Sequence, residues 1–280
     1  MLYTPADDRE MMRSALGSEA DAVIFDLEDA VPHSGLEDAR GNVVTIAEGV
    51  DETERQTERC VRINGIGTEE WLADLRAVAG AVDTVILPKV ESAEELATAA
   101  RAAERSAAVP PELVITLETP QGLFSAADVA SRASGIEAAT ALSFGLEDYA
   151  RAIGTTERPP SVREFVSVTV TSAAAVGGLD ALYTVYTDYE DTQALRETAR
   201  RARDLGYLGM KAIHPRQVPV INEVFTPTDE EVERARRFVE AFEESERDSL
   251  SVDGTFLDAA VVEQYRSTLA RHRAVAEFEE

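Results

Sequence analysis

The sequence predicts an α/β protein, a TIM (β/α)8 barrel followed by a C-terminal helical extension. Short runs rich in Val, Ile and Leu alternate with segments of helical periodicity over residues 1–224, and such runs are typical of parallel strands covered on both faces. The chain has 280 residues, and one barrel of this kind takes about 250. We therefore predict a barrel domain, residues 1–224, and a helical tail, residues 225–280.

The predicted strands and helices alternate along the chain. Strands are predicted at residues 2–5, 23–29, 60–64, 85–89, 114–119, 141–148, 179–185 and 210–214. Helices are predicted near residues 8–16, 36–47, 69–78, 93–103, 123–131 and 192–205. Ser92 and Glu95 have the spacing of a capping box at one helix start, because each side chain satisfies a free N–H. Gly206 is a typical helix stop.

The tail departs from this alternation. Two helices are predicted there, at residues 229–246 behind a capping box from Thr228 to Glu231, and at residues 259–278, with residues 248–258 between them. The tail cannot be a further barrel repeat, so it packs on its own barrel or on a neighbouring subunit. We expect the neighbour.

The chain is strongly acidic and nearly free of lysine. It has 53 acidic and 27 basic residues, a net charge of −26 and only two lysines, Lys89 and Lys211, both at strand ends. A surface with many carboxylates and few lysines is typical of a salt-adapted protein, because salt screens the repulsion between like charges. The negative charge also argues against a nucleic-acid-binding surface.

The remaining composition predicts a soluble, cytoplasmic protein. Cys60 is the only cysteine and lies in an apolar strand, which excludes a disulfide framework and favours a buried thiol over a nucleophile. No apolar stretch approaches the roughly 20 residues of a membrane helix, and the N-terminus lacks a signal-peptide pattern. Neither a P-loop nor a dinucleotide fingerprint is present.

Polar residues follow five of the predicted strands where each strand ends. The groups concerned are Asp26 to Asp29, Arg62, Lys89, Glu118 and Asp148. Because the C-terminal ends of parallel strands lie on one face, where barrels place ligands and catalytic groups, we expect these side chains to meet. Carboxylates with an arginine and a lysine indicate metal-assisted chemistry on an anionic substrate.

Six motifs extend this prediction to a family. They are FDLEDAV (residues 25–31), VRIN (61–64), LPKVESA (87–93), LETP (117–120), FGLED (144–148) and AIHPRQV (212–218). In this order and spacing they resemble the citrate lyase β-subunit-like family of the HpcH/HpaI aldolase superfamily, which includes malyl-CoA and methylmalyl-CoA lyases. The resemblance implies a trimer or hexamer of barrels that uses Mg²⁺ to make or break a C–C bond between an acyl-CoA and a 2-oxo acid. Some members instead hydrolyse the thioester.

Within this resemblance, Glu118 and Asp148 occupy the metal-ligand positions, for Mg²⁺ or Mn²⁺. Two carboxylates leave about four octahedral positions for water and substrate. Arg62 matches the arginine that holds the carboxylate of the oxo acid through its planar fork. The alternatives are solvated loop acids at the first two positions and a structural salt bridge from Arg62 to Asp26, Glu28 or Asp29.

Several neighbours are expected to support these groups. Asp26, Glu28 and Asp29 are expected to orient Arg62 and the water around the metal. Lys89 is expected to neutralise charge there or to pair with Glu28 or Glu91, which is favoured over a Schiff-base role. His214 either bounds the acyl-CoA pocket or acts as a base, and the first is favoured.

The tail and the N-terminus supply the remaining predicted roles. The resemblance implies that Asp258, or failing that Asp253, moves the acyl α-proton in a neighbouring subunit. Asp258 also suits a helix N-cap. Arg13 and Arg40 are candidates for the CoA phosphates, although the segment after Pro5 departs from the family pattern.

The expected function is cleavage or formation of a 3-hydroxyacyl-CoA such as malyl-CoA or methylmalyl-CoA. The products of cleavage would be acetyl-CoA or propionyl-CoA and glyoxylate. A malyl-CoA thioesterase and the β subunit of a citrate lyase complex are the alternatives. Intact metal and arginine positions argue against an inactive subunit.

Overall fold

A computed structural model describes residues 1–49, 57–155, 157, 159–245 and 247–279 of the chain. Contacts divide it into two compact units, Met1–Ile221 and Asn222–Glu280. The first unit is an α/β domain with eight parallel strands in a single sheet, ordered as in the chain. The strands are β1 (Leu2–Pro5), β2 (Ala22–Asp26), β3 (Glu58–Arg62), β4 (Thr84–Leu87), β5 (Glu112–Leu117), β6 (Ala139–Phe144), β7 (Asp180–Tyr183) and β8 (Gly209–Met210).

The sheet curls until its last strand reaches its first. Leu2 and Ala212 form a parallel bridge, and the N–H of Tyr3 donates to the carbonyl of Ala212 at 2.9 Å. Apolar side chains of alternate residues fill the inside of the sheet, among them Ile24, Ile86 and Val114. The predicted eight-stranded parallel sheet is therefore confirmed.

Helices connect the strands. They are α1 (Arg9–Leu16), α2 (Leu36–Glu48), α3 (Trp71–Val78), α4 (Ala93–Ser106), α5 (Pro120–Phe124), α6 (Ala126–Ala133), α7 (Leu146–Ala152), α8 (Pro160–Gly177), α9 (Thr192–Asp204) and α10 (Val218–Phe225). Ser92 caps α4 by accepting the N–H of Glu95, and Gly206 follows α9 with a φ of 91°, both as predicted. The sequence analysis did not anticipate α7, α8 or α10. In α8 apolar residues also lie on the exposed face, at Phe165, Val168 and Val176, which obscures the helical periodicity.

All predicted strands but the first extend past the observed C-terminal ends. β2 ends at Asp26 and β8 at Met210, whereas the predicted strands continue to residues 29 and 214. An apolar pattern indicates that residues are buried, not that they belong to a strand. Buried residues beyond the strand ends instead form the turns around the site. Those turns carry most of the predicted functional residues.

The second unit contains α11 (Asp229–Glu243), β9 (Ser249–Val252), β10 (Thr255–Asp258) and α12 (Ala259–Glu279). Thr228 and Glu231 form the predicted capping box of α11, and the predicted helix end at residue 246 lies outside the described residues. The segment between the helices is an antiparallel hairpin rather than a plain linker. Phe238, Leu257 and Val262 belong to the small core of the second unit. The hairpin strands carry apolar residues because they contribute to this core.

Among the described residues, no helix combines the length and the hydropathy that a membrane span requires.

Candidate active site

A cavity of about 350 Å³ lies where the strands of the first unit end. Its lining includes Tyr3, Asp26, Asp29, Arg62, Thr116, Glu118, Gly145, Asp148, Thr184 and Lys211. The structure thus brings together five of the residues that the sequence analysis singled out, from four strands. Glu28 and Lys89, which were expected beside them, do not line the cavity within the described chain.

Glu118 is the most buried acid of the cavity, with only 2% of its surface exposed. It follows β5 directly, and Thr119 then accepts the N–H of Gly122 at 3.0 Å to start α5. Glu118 Oε1 accepts the N–H of Lys89 at 2.9 Å. Burial, and then the charges of Glu28 and Asp148, raise the pKa of Glu118 to about 7. A carboxylate held in this way favours a nearby cation.

Asp148 completes a pair of carboxylates from adjacent strands. It lies in the first turn of α7, after β6, and its side chain is 17% exposed and pairs with Arg151. Among the described residues, no group of three or more His, Cys, Asp or Glu side chains is placed to hold a metal. Two carboxylates alone fit Mg²⁺, because this hard cation prefers oxygen and keeps several positions for water and substrate.

Arg62 emerges from β3 into a cluster of acids. Its Nε and Nη2 donate to the two Asp26 carboxylate oxygens at 2.7 and 2.6 Å. Its Nη2 is also 3.2 Å from Asp29 Oδ2, and Nη1 is 3.0 Å from Glu28 Oε2. Burial is the largest single influence and lowers the pKa of Arg62, but the hydrogen bonds to Asp26 together with the charges of Asp26 and Glu28 outweigh it, so that the net shift of the pKa is upward. The salt bridges from Arg62 to these acids, which the sequence analysis gave as the alternative to substrate binding, are therefore present, and Asp26 already occupies the bidentate side of the guanidinium.

Lys89 contributes its backbone to the site and its side chain to Glu28. Its φ of 51° lies in the left-handed region that non-glycine residues seldom adopt. In this conformation its N–H donates to Glu118, while its Nζ pairs with Glu28. The predicted pairing is thus observed, and the ammonium is not available for an imine.

Lys211 is a cavity residue that the sequence analysis left without a role. It follows β8, is 2% exposed and lies with its Nζ 5.9 Å from the centroid of the Tyr3 ring. Burial lowers the pKa of Lys211 to about 8, although the charge of Glu118 opposes this shift. Its place at a strand end in a chain with two lysines was the available signal.

The remaining predicted residues lie away from this cavity or are already paired. Arg40, on α2, donates to Asp74 at 2.7 Å and pairs with Glu70, so its guanidinium joins α2 to α3 and is not available to a CoA phosphate in this arrangement. Arg13 is exposed on α1. His214 Nδ1 accepts the N–H of Arg216 at 3.1 Å, which favours its structural role over that of a base.

Asp258 belongs to the second unit. Its Oδ1 accepts the N–H of Val261 at 2.9 Å, so it caps α12. Asp253 occupies the hairpin turn with a φ of 50° and pairs with Arg237 at 3.0 Å. The capping role is therefore observed for Asp258, and its role in a neighbouring site stays a prediction.

A family model described as HpcH/HpaI aldolase/citrate lyase matches residues 1–215. The chain belongs to this family. It is 36% identical to a (3S)-malyl-CoA thioesterase of Cereibacter sphaeroides, over 99% of this chain and 95% of the relative. It is 31% identical to citrate lyase subunit beta of Escherichia coli, over 97% and 92% of the two chains.

Solved structures agree with the fold. The chain resembles the Mycobacterium tuberculosis protein CitE in complex with magnesium, acetoacetate and coenzyme A, with a TM-score of 0.79, 31% identity and 97% coverage of both chains. It also resembles a citrate lyase beta subunit of that organism complexed with oxaloacetate and magnesium, with a TM-score of 0.68 and 32% identity over 81% and 96% of the chains. The expectation of magnesium and coenzyme A is thus confirmed at the level of solved relatives.

Proposed function

We propose that the protein is an Mg²⁺-dependent carbon–carbon lyase that cleaves or forms a 3-hydroxyacyl-CoA of the malyl-CoA or methylmalyl-CoA type. Cleavage would give acetyl-CoA or propionyl-CoA and glyoxylate. The observation that carries this proposal is the convergence of Glu118 and Asp148 on one cavity. Glu118 is almost completely buried beside other acids, an arrangement that a bound divalent cation would stabilise.

Each group of the cavity has a defined part in this proposal. Glu118 and Asp148 would hold Mg²⁺, which supplies stabilisation of the negative charge that develops on the substrate oxygens. Arg62 would contact the oxo-acid carboxylate through Nη1, because Asp26 already receives hydrogen bonds from its Nε and Nη2. Asp26 fixes the plane of the guanidinium. Asp258 of a neighbouring subunit would move the α-proton.

Hydrolysis of the thioester is a second candidate. It is favoured by the 36% identity to the (3S)-malyl-CoA thioesterase over nearly the full chain. The same carboxylates and Arg62 would position the substrate, and water would attack the thioester carbonyl, so that the C–S bond breaks and malate and the CoA thiol are released. A β subunit of a citrate lyase complex is a further alternative, since such subunits are 31% identical over most of the chain.

We also propose a finer architecture for the assembly. The curled sheet would be a complete (β/α)8 barrel, the second unit its helical extension, and the protein a homotrimer or hexamer in the cytoplasm of a salt-adapted cell. The bridge between Leu2 and Ala212 supports the closed barrel.

One incubation separates the candidate reactions. Purified protein is mixed with malyl-CoA and Mg²⁺, and glyoxylate, malate and free CoA are measured. Glyoxylate with acetyl-CoA supports the lyase, whereas malate with free CoA supports the thioesterase. If neither pair appears with malyl-CoA or methylmalyl-CoA, the proposed function is wrong. The same assay with citryl-CoA tests the citrate lyase alternative.

A further inference from the structure

Lys211 carries a buried positive charge that is influenced by the charge of Glu118 but has no contact partner of its own among the described residues. Within the described part of the chain, its Nζ has no hydrogen bond or ion pair, and it lies 5.9 Å from the centroid of the Tyr3 ring. Lysine is almost never this buried unless it is paired, because removing an ammonium from water is costly. The side chain lines the cavity of the candidate active site, so a ligand in that cavity would be its partner.

The other cation of the cavity is already neutralised. Arg62 has the carboxylates of Asp26, Glu28 and Asp29 within 3.2 Å. Its Nε and Nη2 both donate to Asp26, so a substrate carboxylate could receive only a single contact from Nη1, which also lies 3.0 Å from Glu28. Lys211, in contrast, keeps all its side-chain donors. Among the described residues of the cavity it is therefore the cation best placed to bind an anionic ligand.

A second observation concerns the lining of the same cavity. Thr116 lines it, and the Thr116 hydroxyl is buried without a hydrogen-bond partner among the described residues. The hydroxyl of Ser143, which is paired in register with Thr116, is also buried and unpartnered. Since alternate strand residues share a face, Thr116 lies on the face of Glu118 and one step closer to the inner core at Val114. Buried hydroxyls of this kind normally bind a ligand or water.

We propose that Lys211 is a substrate-binding residue, which forms with the Thr116 hydroxyl an inner subsite for a carboxylate of the oxo-acid part of the substrate. The identity of this ligand rests on the proposed function, whereas the subsite itself rests on the unpartnered groups. The carboxylate is either the one next to the oxo group, as in glyoxylate, or the second one of a dicarboxylic oxo acid such as oxaloacetate. Binding in either form gives the ammonium its counter-charge.

Direct binding measurements on the full-length protein with Mg²⁺ test this subsite. Glyoxylate, oxaloacetate and coenzyme A are titrated calorimetrically into wild type, Lys211→Met, Lys211→Arg and Thr116→Val. We expect Lys211→Met to weaken oxo-acid binding roughly 10- to 100-fold, the range of a hydrogen bond to a charged group. Lys211→Arg should retain more affinity, and Thr116→Val should lose a few-fold. Coenzyme A affinity should not change.

The pattern across ligands identifies the carboxylate. Equal losses for glyoxylate and oxaloacetate would assign the subsite to the carboxylate beside the oxo group, and a loss confined to oxaloacetate would assign it to the second carboxylate. Mg²⁺ affinity is measured for each variant, because removing a nearby positive charge should strengthen cation binding. If Mg²⁺ affinity is unchanged or higher, a loss of oxo-acid affinity cannot arise from a weaker metal site. Arg101→Met, an exposed change on α4, controls for the loss of one positive charge.

Thermal stability separates a binding role from a structural role, because loss of a structural residue would lower the thermal midpoint. Lys211→Met and Thr116→Val remove unpartnered buried polar groups, so their thermal midpoints should stay level or rise. If Lys211→Met does not fold, Lys211→Arg and Thr116→Val decide. Oxo-acid affinities within two-fold of wild type, or no oxo-acid binding by wild type, would overturn the subsite. Lys211-dependent binding without turnover of any CoA ester would overturn the proposed function alone.

Discussion

The backbone of Gly145 and the carboxylate of Glu118 occupy adjacent space with no room for a side chain between them. A Cβ on Gly145 would lie 2.1 Å from Glu118 Oε2 and 2.9 Å from Glu118 Cβ. The φ of Gly145 is −112°, which other residues also adopt. Glycine is therefore required here for the space that it leaves, and this space sets the position of a metal-ligand candidate.

Gly145→Ala should displace the Glu118 carboxylate from the cavity. We expect Mg²⁺ affinity to fall by at least 10-fold and turnover with it, because the added Cβ would occupy the space that Glu118 Oε2 now takes. Isothermal titration with Mg²⁺ and the CoA-ester assay measure the two effects.

The matched control is Gly41→Ala within α2. A Cβ on Gly41 would meet nothing within 4 Å, so this change should stabilise the protein by about 0.5–1 kcal/mol through helix propensity. Unchanged Mg²⁺ affinity in Gly145→Ala would contradict the steric account.

Glu118→Gln and Asp148→Asn should each abolish Mg²⁺-dependent turnover while the fold remains. An amide keeps the shape but loses the charge that a hard cation requires. Glu112→Gln, at the exposed opposite end of β5, is the control and should retain activity. Full activity of wild type in EDTA would refute the metal assignment.

The pKa of Glu118 predicts a pH dependence of the metal-free protein. Its pKa is raised from 4.5 to about 7 by burial and by the charges of Glu28 and Asp148, so the folded state binds more protons than the unfolded state between these values. Stability contributed by the protonated group is therefore present below about pH 4.5 and is lost as the pH rises toward 7. Glu118→Gln should remove this part of the slope in urea unfolding experiments with EDTA.

The same shift predicts the pH dependence of Mg²⁺ binding. Since the metal requires the ionised carboxylate, Mg²⁺ affinity should increase with pH up to about 7 and then level off. Calorimetric titrations between pH 5.5 and 8.5 measure this curve. A flat curve would mean that Glu118 is already ionised in the metal-free protein.

Salt should stabilise the fold. With a net charge of −26 and two lysines, repulsion between surface carboxylates is screened as ionic strength increases. We expect the thermal midpoint to rise between low and molar KCl. A midpoint that stays level over this range would argue against a salt-adapted protein.

Mixed oligomers test the predicted exchange of Asp258 between subunits. Asp258→Ala and Glu118→Gln chains should each be inactive alone, whereas their mixture should recover activity, because some sites then combine an intact metal pair with an intact tail. Equal random mixing in a ring trimer gives roughly one complete site in four.

The control for this mixture uses Asp258→Asn, which keeps the N-cap of α12 because asparagine is as good a cap as aspartate. It separates a lost carboxylate from a lost cap. If verified subunit exchange restores no activity, Asp258 does not act in a neighbour's site.

The sequence by itself determined the strand order, the parallel sheet and the identity of the acids at its C-terminal end. These follow from local patterns, since period and length reveal buried strands and since parallel strands all end on one face. Glu118, Asp148, Asp26 and Arg62 could therefore be placed in one site without coordinates. The six motifs further identified the family that the comparison confirmed.

Only the tertiary structure decided how those side chains are paired. Arg62 is paired with Asp26 and Arg40 with Asp74, whereas Lys211 has no such partner among the residues that the structure describes. These pairings depend on side-chain directions and on distances between residues 34 or more positions apart. Local periodicity carries no information on such distances. Equally, a glycine in a motif does not reveal which atoms take the space that a Cβ would occupy. For Gly145 this space is taken by Glu118, which follows the adjacent strand.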